Sequence, residues 1–189
     1  MLVCRRMSQF SLFAALPNMI SLARLVMVPM VIVFIIQFQW MAAFLVFLIA
    51  GVSDAVDGFI AKRFDLRTEL GAYLDPLADK ALLVSIYVTL AIEQVIPAAL
   101  AILVVSRDVM IVGAVMVSWV LDKPVEIKPL MVSKANTAAQ IAFAAGVLCA
   151  KAFEFHLGGW FHIAVVVVAV LTLASAGAYF AQWLKHMTE

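Results

Sequence analysis

The chain has 189 residues, of which 66% are hydrophobic and 13% charged, with a net charge of +1 and a mean hydropathy of +1.11. A soluble domain carries about 25% charged residues, so this composition excludes an ordinary soluble protein and predicts one embedded in lipid. The small net charge gives no sign of a nucleic-acid partner. A transmembrane helix takes about 20 apolar residues, so the length allows about six spans and no separate soluble domain.

The first segment, residues 1–17, mixes Arg5, Arg6 and Ser8 with apolar side chains. This pattern predicts a short helix lying in the headgroup region, with a disordered tail as the alternative. Residues 18–189 are predicted to form one membrane domain, an all-α bundle of six transmembrane helices. Its apolar runs cover residues 20–38, 40–60, 73–91, 97–121, 137–153 and 161–183.

Basic residues predict the orientation of this bundle. With six spans, both chain ends lie on one side of the membrane, and that side holds all the Lys and Arg residues of loops and tails except Lys151. Cytoplasmic loops carry an excess of Lys and Arg, so we expect both termini in the cytoplasm.

Four aspartates interrupt the second and third spans. Asp54 and Asp57 are three residues apart and Asp75 and Asp79 four apart, so each pair shares one helix face, and the short turn over 62–70 brings the two faces together. Charges inside a span cost about 2.5–3.5 kcal/mol each near its centre and usually mark a functional cavity. Converging carboxylates need compensating cations, and an oxygen-only ligand set suits Mg²⁺ or Mn²⁺ with phosphate oxygens. We therefore expect a divalent-metal site that acts on a diphosphate.

These aspartates and the small residues beside them resemble the signature of the CDP-alcohol phosphotransferase family. In that signature two aspartates, a glycine and an alanine are followed, after a fixed gap, by a glycine and two more aspartates. Every spacing fits, at Asp54, Asp57, Gly58, Ala61, Gly71, Asp75 and Asp79. Lys62 departs from the pattern, because the family usually has Arg at this position. With Lys there, the bidentate contact of an Arg is lost. Close helix packing is the alternative reason for the three small residues.

The resemblance implies a six-helix bundle that works as a homodimer with an active site open to the cytoplasm. It implies that Asp54, Asp57 and Asp75 bind two divalent ions with Asp79 near them, and that Asp79 is the general base for the acceptor alcohol. The residues implied for the CDP-lipid site are Asn18, Gly58, Ala61, Lys62 and Gly71. Asn18 has a helix cap as its alternative role.

Further stretches are most similar to the cardiolipin synthase branch of this family: LGAYLDPLADK, VVSRDVMI and LMVSKANTAAQ. That branch, the eukaryotic-type one, implies transfer of a phosphatidyl group from CDP-diacylglycerol to phosphatidylglycerol with release of CMP. We expect the protein to lie in the bacterial inner membrane. The branch that makes phosphatidylglycerophosphate from glycerol 3-phosphate is the second candidate. A prenyltransferase or a transporter is a more distant alternative, because the aspartate pairs lie close together and no internal repeat is visible.

Four cations are expected to bind an acceptor that carries phosphate: Arg24, Arg107, Lys128 and Lys134. The two lysines have topology anchoring as an alternative role. For Arg107 the alternative is an intramembrane ion pair with Asp108.

Overall fold

The computed structural model describes residues 22–64, 69–120 and 131–188. Over these ranges the chain forms six helices and no strand, which confirms the all-helical class for this part of the chain. The predicted N-terminal segment 1–17 lies outside it. The helices are α1 (Leu22–Ile36), α2 (Trp40–Phe64), α3 (Glu69–Ile92), α4 (Ala98–Val120), α5 (Met131–Ala152) and α6 (Gly159–Thr188).

Two helices in the described ranges are long and apolar enough to cross a membrane: Ala98–Ser118 within α4 and Gly159–Lys185 within α6. The segments Leu22–Ile36 and Trp40–Asp54 are shorter apolar helices. Large apolar side chains remain exposed along the helices, for example Ile102 at 66% and Val166 at 59%. Apolar surface of this kind is unfavourable in water, so the helices are those expected of a membrane protein.

Three helices end in the same local structure. Phe38, Gln94 and Glu154, which follow α1, α3 and α5, all adopt φ of 56–57°. The amide of the residue after each one donates to a carbonyl five residues earlier, as in Gln39 N to Phe34 O at 2.8 Å. This is the Schellman arrangement, which satisfies the last carbonyls of a helix and lets the chain turn back within a few residues.

The chain divides into two units. The first comprises the residues up to Ile86 together with Lys151–Phe153. Its core is built from side chains of α1, α2 and the first part of α3, and the fully buried ones include Val31, Ile35, Ala43 and Ala50. This unit also contains the described aspartates Asp54 and Asp79.

The second unit comprises Tyr87–Ala150 and Glu154–Glu189. Its core combines apolar side chains of α4, α5 and α6 with an unusual share of buried polar ones: Thr89, Arg107, Ser118, Asn136, Gln140, Thr172 and Ser175. Arg107 in α4 bonds to Ser175 in α6, and Ser118 further along α4 bonds to Trp183 further along α6, so these two helices run in the same direction.

Four helices, α2, α3, α5 and α6, extend beyond the apolar runs that predicted them at one end or at both. α2 continues to Phe64 and α3 begins at Glu69, so the turn expected over 62–70 is shorter and Lys62 lies in helix. α5 begins at Met131, six residues before the predicted start at 137, and therefore includes Lys134. Polar residues end an apolar run without ending a helix, because Lys, Arg and Glu are good helix formers.

Candidate active site

Two neighbouring helices of the first unit carry the four predicted aspartates. Asp54 and Asp57 lie in α2, and Asp75 and Asp79 lie in α3. The structure describes the side chains of Asp54 and Asp79, whereas those of Asp57 and Asp75 lie outside the described part.

Arg24 of α1 brings Asp54 and Asp79 together. Its Nη1 lies 2.8 Å from Asp54 Oδ1 and also donates a hydrogen bond to Asp79 Oδ1. One guanidinium nitrogen therefore bridges carboxylates that are 25 residues apart in sequence and belong to different helices. The convergence of the two helices predicted from the sequence is confirmed for this pair of aspartates.

The three side chains differ sharply in exposure. Arg24 is 1% exposed, whereas the side chains of Asp54 and Asp79 are 44% and 43% exposed. The cation is thus buried behind the carboxylates, and the carboxylates present an open face to whatever enters the site. The three groups carry a net charge of −1, so the open face attracts a further cation.

This pair of carboxylates fits a divalent metal ion in its chemistry. Its oxygens are hard ligands of the type that Mg²⁺ and Mn²⁺ prefer, and they are accessible. Among the described side chains no group of three or more potential ligands occurs. The complete predicted set needs Asp57 and Asp75, whose positions on α2 and α3 are one helical turn from Asp54 and Asp79.

The predicted residues of the CDP-lipid site are only partly covered by the structure. Gly58, Ala61 and Lys62 lie in the backbone of α2, on the same helix as Asp54, and Gly71 lies in the first turn of α3. Asn18 lies outside the described residues. The assignment of these five residues to nucleotide binding stays a prediction.

Arg107, predicted to bind the acceptor, has a dense set of partners inside the second unit. Its Nε and Nη2 donate to Ser175 Oγ at 3.2 and 2.8 Å, its Nη2 also donates to Ser133 Oγ, and its Nη1 pairs with Asp108 Oδ1 at 2.5 Å. Its guanidinium carbon lies 5.6 Å from the centre of the Tyr179 ring. Arg107 is 4% exposed, and these contacts hold its guanidinium in one orientation.

The other predicted acceptor cations lie in different settings. Lys134 is exposed in the first turns of α5, and Lys128 lies outside the described residues. Arg24 contacts the two aspartates described above. The acceptor assignment of all four cations stays a prediction.

A second set of polar contacts lies beside Arg107 and was not predicted from the sequence. We call it the polar seam, and it consists of Ser133, Asn136 and Gln140 of α5 with Thr172 and Ser175 of α6. Thr172 Oγ1 donates to Asn136 Oδ1 at 2.9 Å and accepts from Gln140 Nε2 at 3.3 Å. The sequence carries a signal of the polar seam. Residues 133, 136 and 140 have i, i+3, i+7 spacing, and residues 172, 175 and 179 have the same spacing. Polar residues at that spacing mark a helix face turned toward other polar groups.

Comparison with known proteins identifies the family of the chain. Residues 14–173 match the family model described as CDP-alcohol phosphatidyltransferase. Together the helices and the paired aspartates define a helical membrane protein with an acidic site. The chain belongs to the CDP-alcohol phosphatidyltransferase family, which confirms the family indicated by the spacing of the aspartates.

Individual relatives fall into two groups. The chain is 35% identical over 181 residues to a cardiolipin synthase (CMP-forming) of Homo sapiens, covering 87% of this chain and 60% of that protein. It is 34% identical over 176 residues to a CDP-diacylglycerol–glycerol-3-phosphate 3-phosphatidyltransferase of Salmonella choleraesuis, and 31% identical over 183 residues to the protein of that name from Bacillus subtilis. The last two matches cover 87% and 88% of this chain and 92% and 94% of those proteins. The chain thus spans about 60% of the length of the human cardiolipin synthase it matches.

Proposed function

We propose that this chain is a cardiolipin synthase that transfers the phosphatidyl group of CDP-diacylglycerol to phosphatidylglycerol and releases CMP. The observation that carries the transferase chemistry is the accessible pair of carboxylates, Asp54 and Asp79, gathered on a buried arginine within the aspartate motif. The similarity to the human cardiolipin synthase supports the choice of acceptor. The stretches VVSRDVMI and LMVSKANTAAQ support the same choice.

In this proposal Asp54, Asp57 and Asp75 hold two Mg²⁺ or Mn²⁺ ions, and Asp79 lies beside them. Bound metal supplies charge neutralisation for the diphosphate and for the CMP that leaves. Asp79 accepts the proton of the acceptor hydroxyl, whose oxygen forms a bond to the lipid-side phosphorus. The bond from that phosphorus to the bridging oxygen breaks, and the oxygen departs on CMP with the bonding electron pair.

The remaining predicted residues bind the two substrates. Asn18, Gly58, Ala61, Lys62 and Gly71 are proposed to contact CDP-diacylglycerol, because glycine and alanine allow a flat base to approach the helix backbone. Arg24, Arg107, Lys128 and Lys134 are proposed for the acceptor phosphodiester. Lys134 is exposed, and Arg107 is already oriented by its serine and aspartate partners.

For the whole molecule we propose six transmembrane helices, both termini in the cytoplasm and a homodimer in the bacterial inner membrane. The bias of Lys and Arg toward one side supports the orientation. The exposed apolar surface of the helices supports their contact with lipid.

A second candidate has its own support. The Salmonella choleraesuis relative named for glycerol 3-phosphate is 34% identical, nearly as much as the human cardiolipin synthase at 35%. Identity therefore separates the two acceptors poorly, and glycerol 3-phosphate is the alternative that an experiment must exclude.

The deciding experiment offers each acceptor separately. Purified protein in lipid–detergent micelles receives CDP-diacylglycerol and Mg²⁺ or Mn²⁺, with either phosphatidylglycerol or glycerol 3-phosphate, and the lipid product is identified by mass spectrometry. We expect cardiolipin and CMP with phosphatidylglycerol. Phosphatidylglycerophosphate from glycerol 3-phosphate, with no cardiolipin, contradicts the acceptor assignment. Absence of CMP release with both acceptors, which a transporter or a prenyltransferase would show, contradicts the transferase function itself.

A further inference from the structure

Arg24 occupies a position that suits a role beyond substrate binding. Its side chain is 1% exposed, although the two carboxylates that it contacts are each more than 40% exposed. A substrate that approaches the open face therefore meets Asp54 and Asp79 before it can reach the guanidinium. The guanidinium is therefore buried in the first unit, whereas the carboxylates of its two acidic partners are exposed.

The charge balance around Arg24 differs from that around Arg107. Arg107 faces one carboxylate, Asp108, together with hydroxyl groups and an aromatic ring. Among the described side chains, Arg24 faces the two carboxylates of Asp54 and Asp79, and its Nη1 contacts both. Two carboxylates held close together repel each other unless a cation lies between them, and Nη1 lies between this pair.

We propose that Arg24 is a built-in counter-cation and positioning residue, which holds Asp54 and Asp79 together before a divalent ion binds. The inference rests on the metal-dependent chemistry of the proposed function. Arg24 supplies positive charge from the buried side, and the divalent ion supplies it from the exposed side. The two carboxylates thus keep their relative position whether or not an ion is present.

If Arg24 has this role, the stability of the protein should depend more strongly on bound metal when the guanidinium is removed. In Arg24→Gln the carboxylates lose their buried positive charge, so the metal-free protein is destabilised. A divalent ion then restores the missing charge from the open side, so it stabilises the variant more than it stabilises the wild type. A merely structural arginine would lower stability equally with and without metal.

The experiment measures melting temperatures in detergent, once with EDTA and once with saturating Mn²⁺, and needs neither substrate. The variants are Arg24→Gln, the charge-conserving Arg24→Lys and the double variant Arg24→Gln/Asp79→Asn. Arg107→Gln is the matched control, because it removes an equally buried guanidinium that contacts a different acid, Asp108.

We expect Arg24→Gln to melt roughly 5–10 °C below the wild type in EDTA, since buried charge-assisted hydrogen bonds are lost in a chain of this length. Its increase in melting temperature with Mn²⁺ should be at least about twice that of the wild type. The increase in melting temperature of Arg24→Lys with Mn²⁺ should lie between those of Arg24→Gln and the wild type. Arg107→Gln should lose stability while keeping the wild-type increase with Mn²⁺.

The double variant keeps the test decisive if Arg24→Gln alone is too unstable to purify. Removing one carboxylate with the arginine relieves the repulsion, so the double variant should melt above Arg24→Gln in EDTA, or be purified where Arg24→Gln is not. A Mn²⁺ increase in Arg24→Gln equal to or smaller than that of the wild type overturns the proposal, as does a double variant less stable than Arg24→Gln. If Mn²⁺ leaves the wild type unchanged, both this inference and the metal-dependent function fail. The acceptor assignment is tested separately by the lipid product.

Discussion

Two buried arginines illustrate how single residues define this molecule. Arg24 bridges two accessible carboxylates, and Arg107 is enclosed by Asp108, Ser133, Ser175 and the ring of Tyr179. The first group carries a net charge of −1, whereas Arg107 and Asp108 together are neutral. Of these two sets of described groups, the first therefore attracts an additional cation more strongly.

The metal ligands can be tested residue by residue. Asp54→Ala should abolish phosphatidyl transfer, because one carboxylate of the proposed metal set is removed. The protein should remain folded, since Arg24 keeps its bond to Asp79. CMP release and thermal unfolding in detergent measure the two effects. Glu93→Gln, a change in the turn that follows α3, is the control and should retain wild-type transfer. Substantial transfer by Asp54→Ala would remove Asp54 from the metal set.

The role of Asp79 calls for a conservative change. Asp79→Asn keeps the shape of the side chain but cannot accept a proton, so turnover should fall by about 10²-fold or more while CDP-diacylglycerol still binds. Turnover is measured by CMP release, and binding by equilibrium titration of the CDP-lipid. Lost CDP-lipid binding with near-normal turnover at saturation would make Asp79 a ligand rather than a base.

At the scale of helices, the sequence predicted which elements exist better than where they end. The three- and four-residue spacings of the aspartates predicted two acidic faces. In the structure Asp54 and Asp79, one from each face, both contact Arg24. The contribution of Arg24 was not predictable, because its partners lie 30 and 55 residues away and the contact is tertiary. The turns at Phe38, Gln94 and Glu154 were also hidden, because glycine, the usual residue at such positions, is absent from all three.

The polar seam gives a prediction for α6. Ser175 accepts two of the hydrogen bonds of Arg107, so Ser175→Ala leaves a buried guanidinium with fewer acceptors. We expect this variant to lose about 1–3 kcal/mol of unfolding free energy, the usual cost of an unsatisfied buried polar group. Thermal or denaturant unfolding in detergent measures the loss. The control is Ser106→Ala, which truncates an exposed serine of α4 and should change stability by less than about 0.5 kcal/mol.

A Ser175→Ala variant as stable as Ser106→Ala would show that the remaining partners of Arg107 suffice. These are Asp108, Ser133 and Tyr179.

For the whole molecule, the distribution of basic residues predicts orientation. Lys151, in the last turn of α5 and expected on the side opposite the termini, has its Nζ 5.5 Å from the centre of the Trp40 ring. A tryptophan at the end of a span is typical of a membrane interface. The contact therefore suits a position at the boundary of the membrane.

Reporter fusions test this orientation. Alkaline phosphatase, which is active only outside the cytoplasm, should be active when fused after His156, in the turn between α5 and α6, and inactive when fused after Glu189. The reason is the excess of Lys and Arg on the side of the termini. Enzyme activity in intact bacteria is the measurement, with immunoblots to equalise expression. The reverse pattern, or equal activity at both positions, would contradict cytoplasmic termini.

The bridge made by Arg24 also has a consequence for biogenesis. α1 leaves the ribosome before α2 and α3, so its arginine reaches the insertion machinery before the parts of α2 and α3 that carry Asp54 and Asp79. An unpaired arginine disfavours release of a helix into lipid. We therefore expect α1 to remain beside the insertion machinery until α3 arrives, and the three helices to enter the bilayer as a group. The contact that orders the acidic site in the finished protein would thus also set the order in which the helices are released.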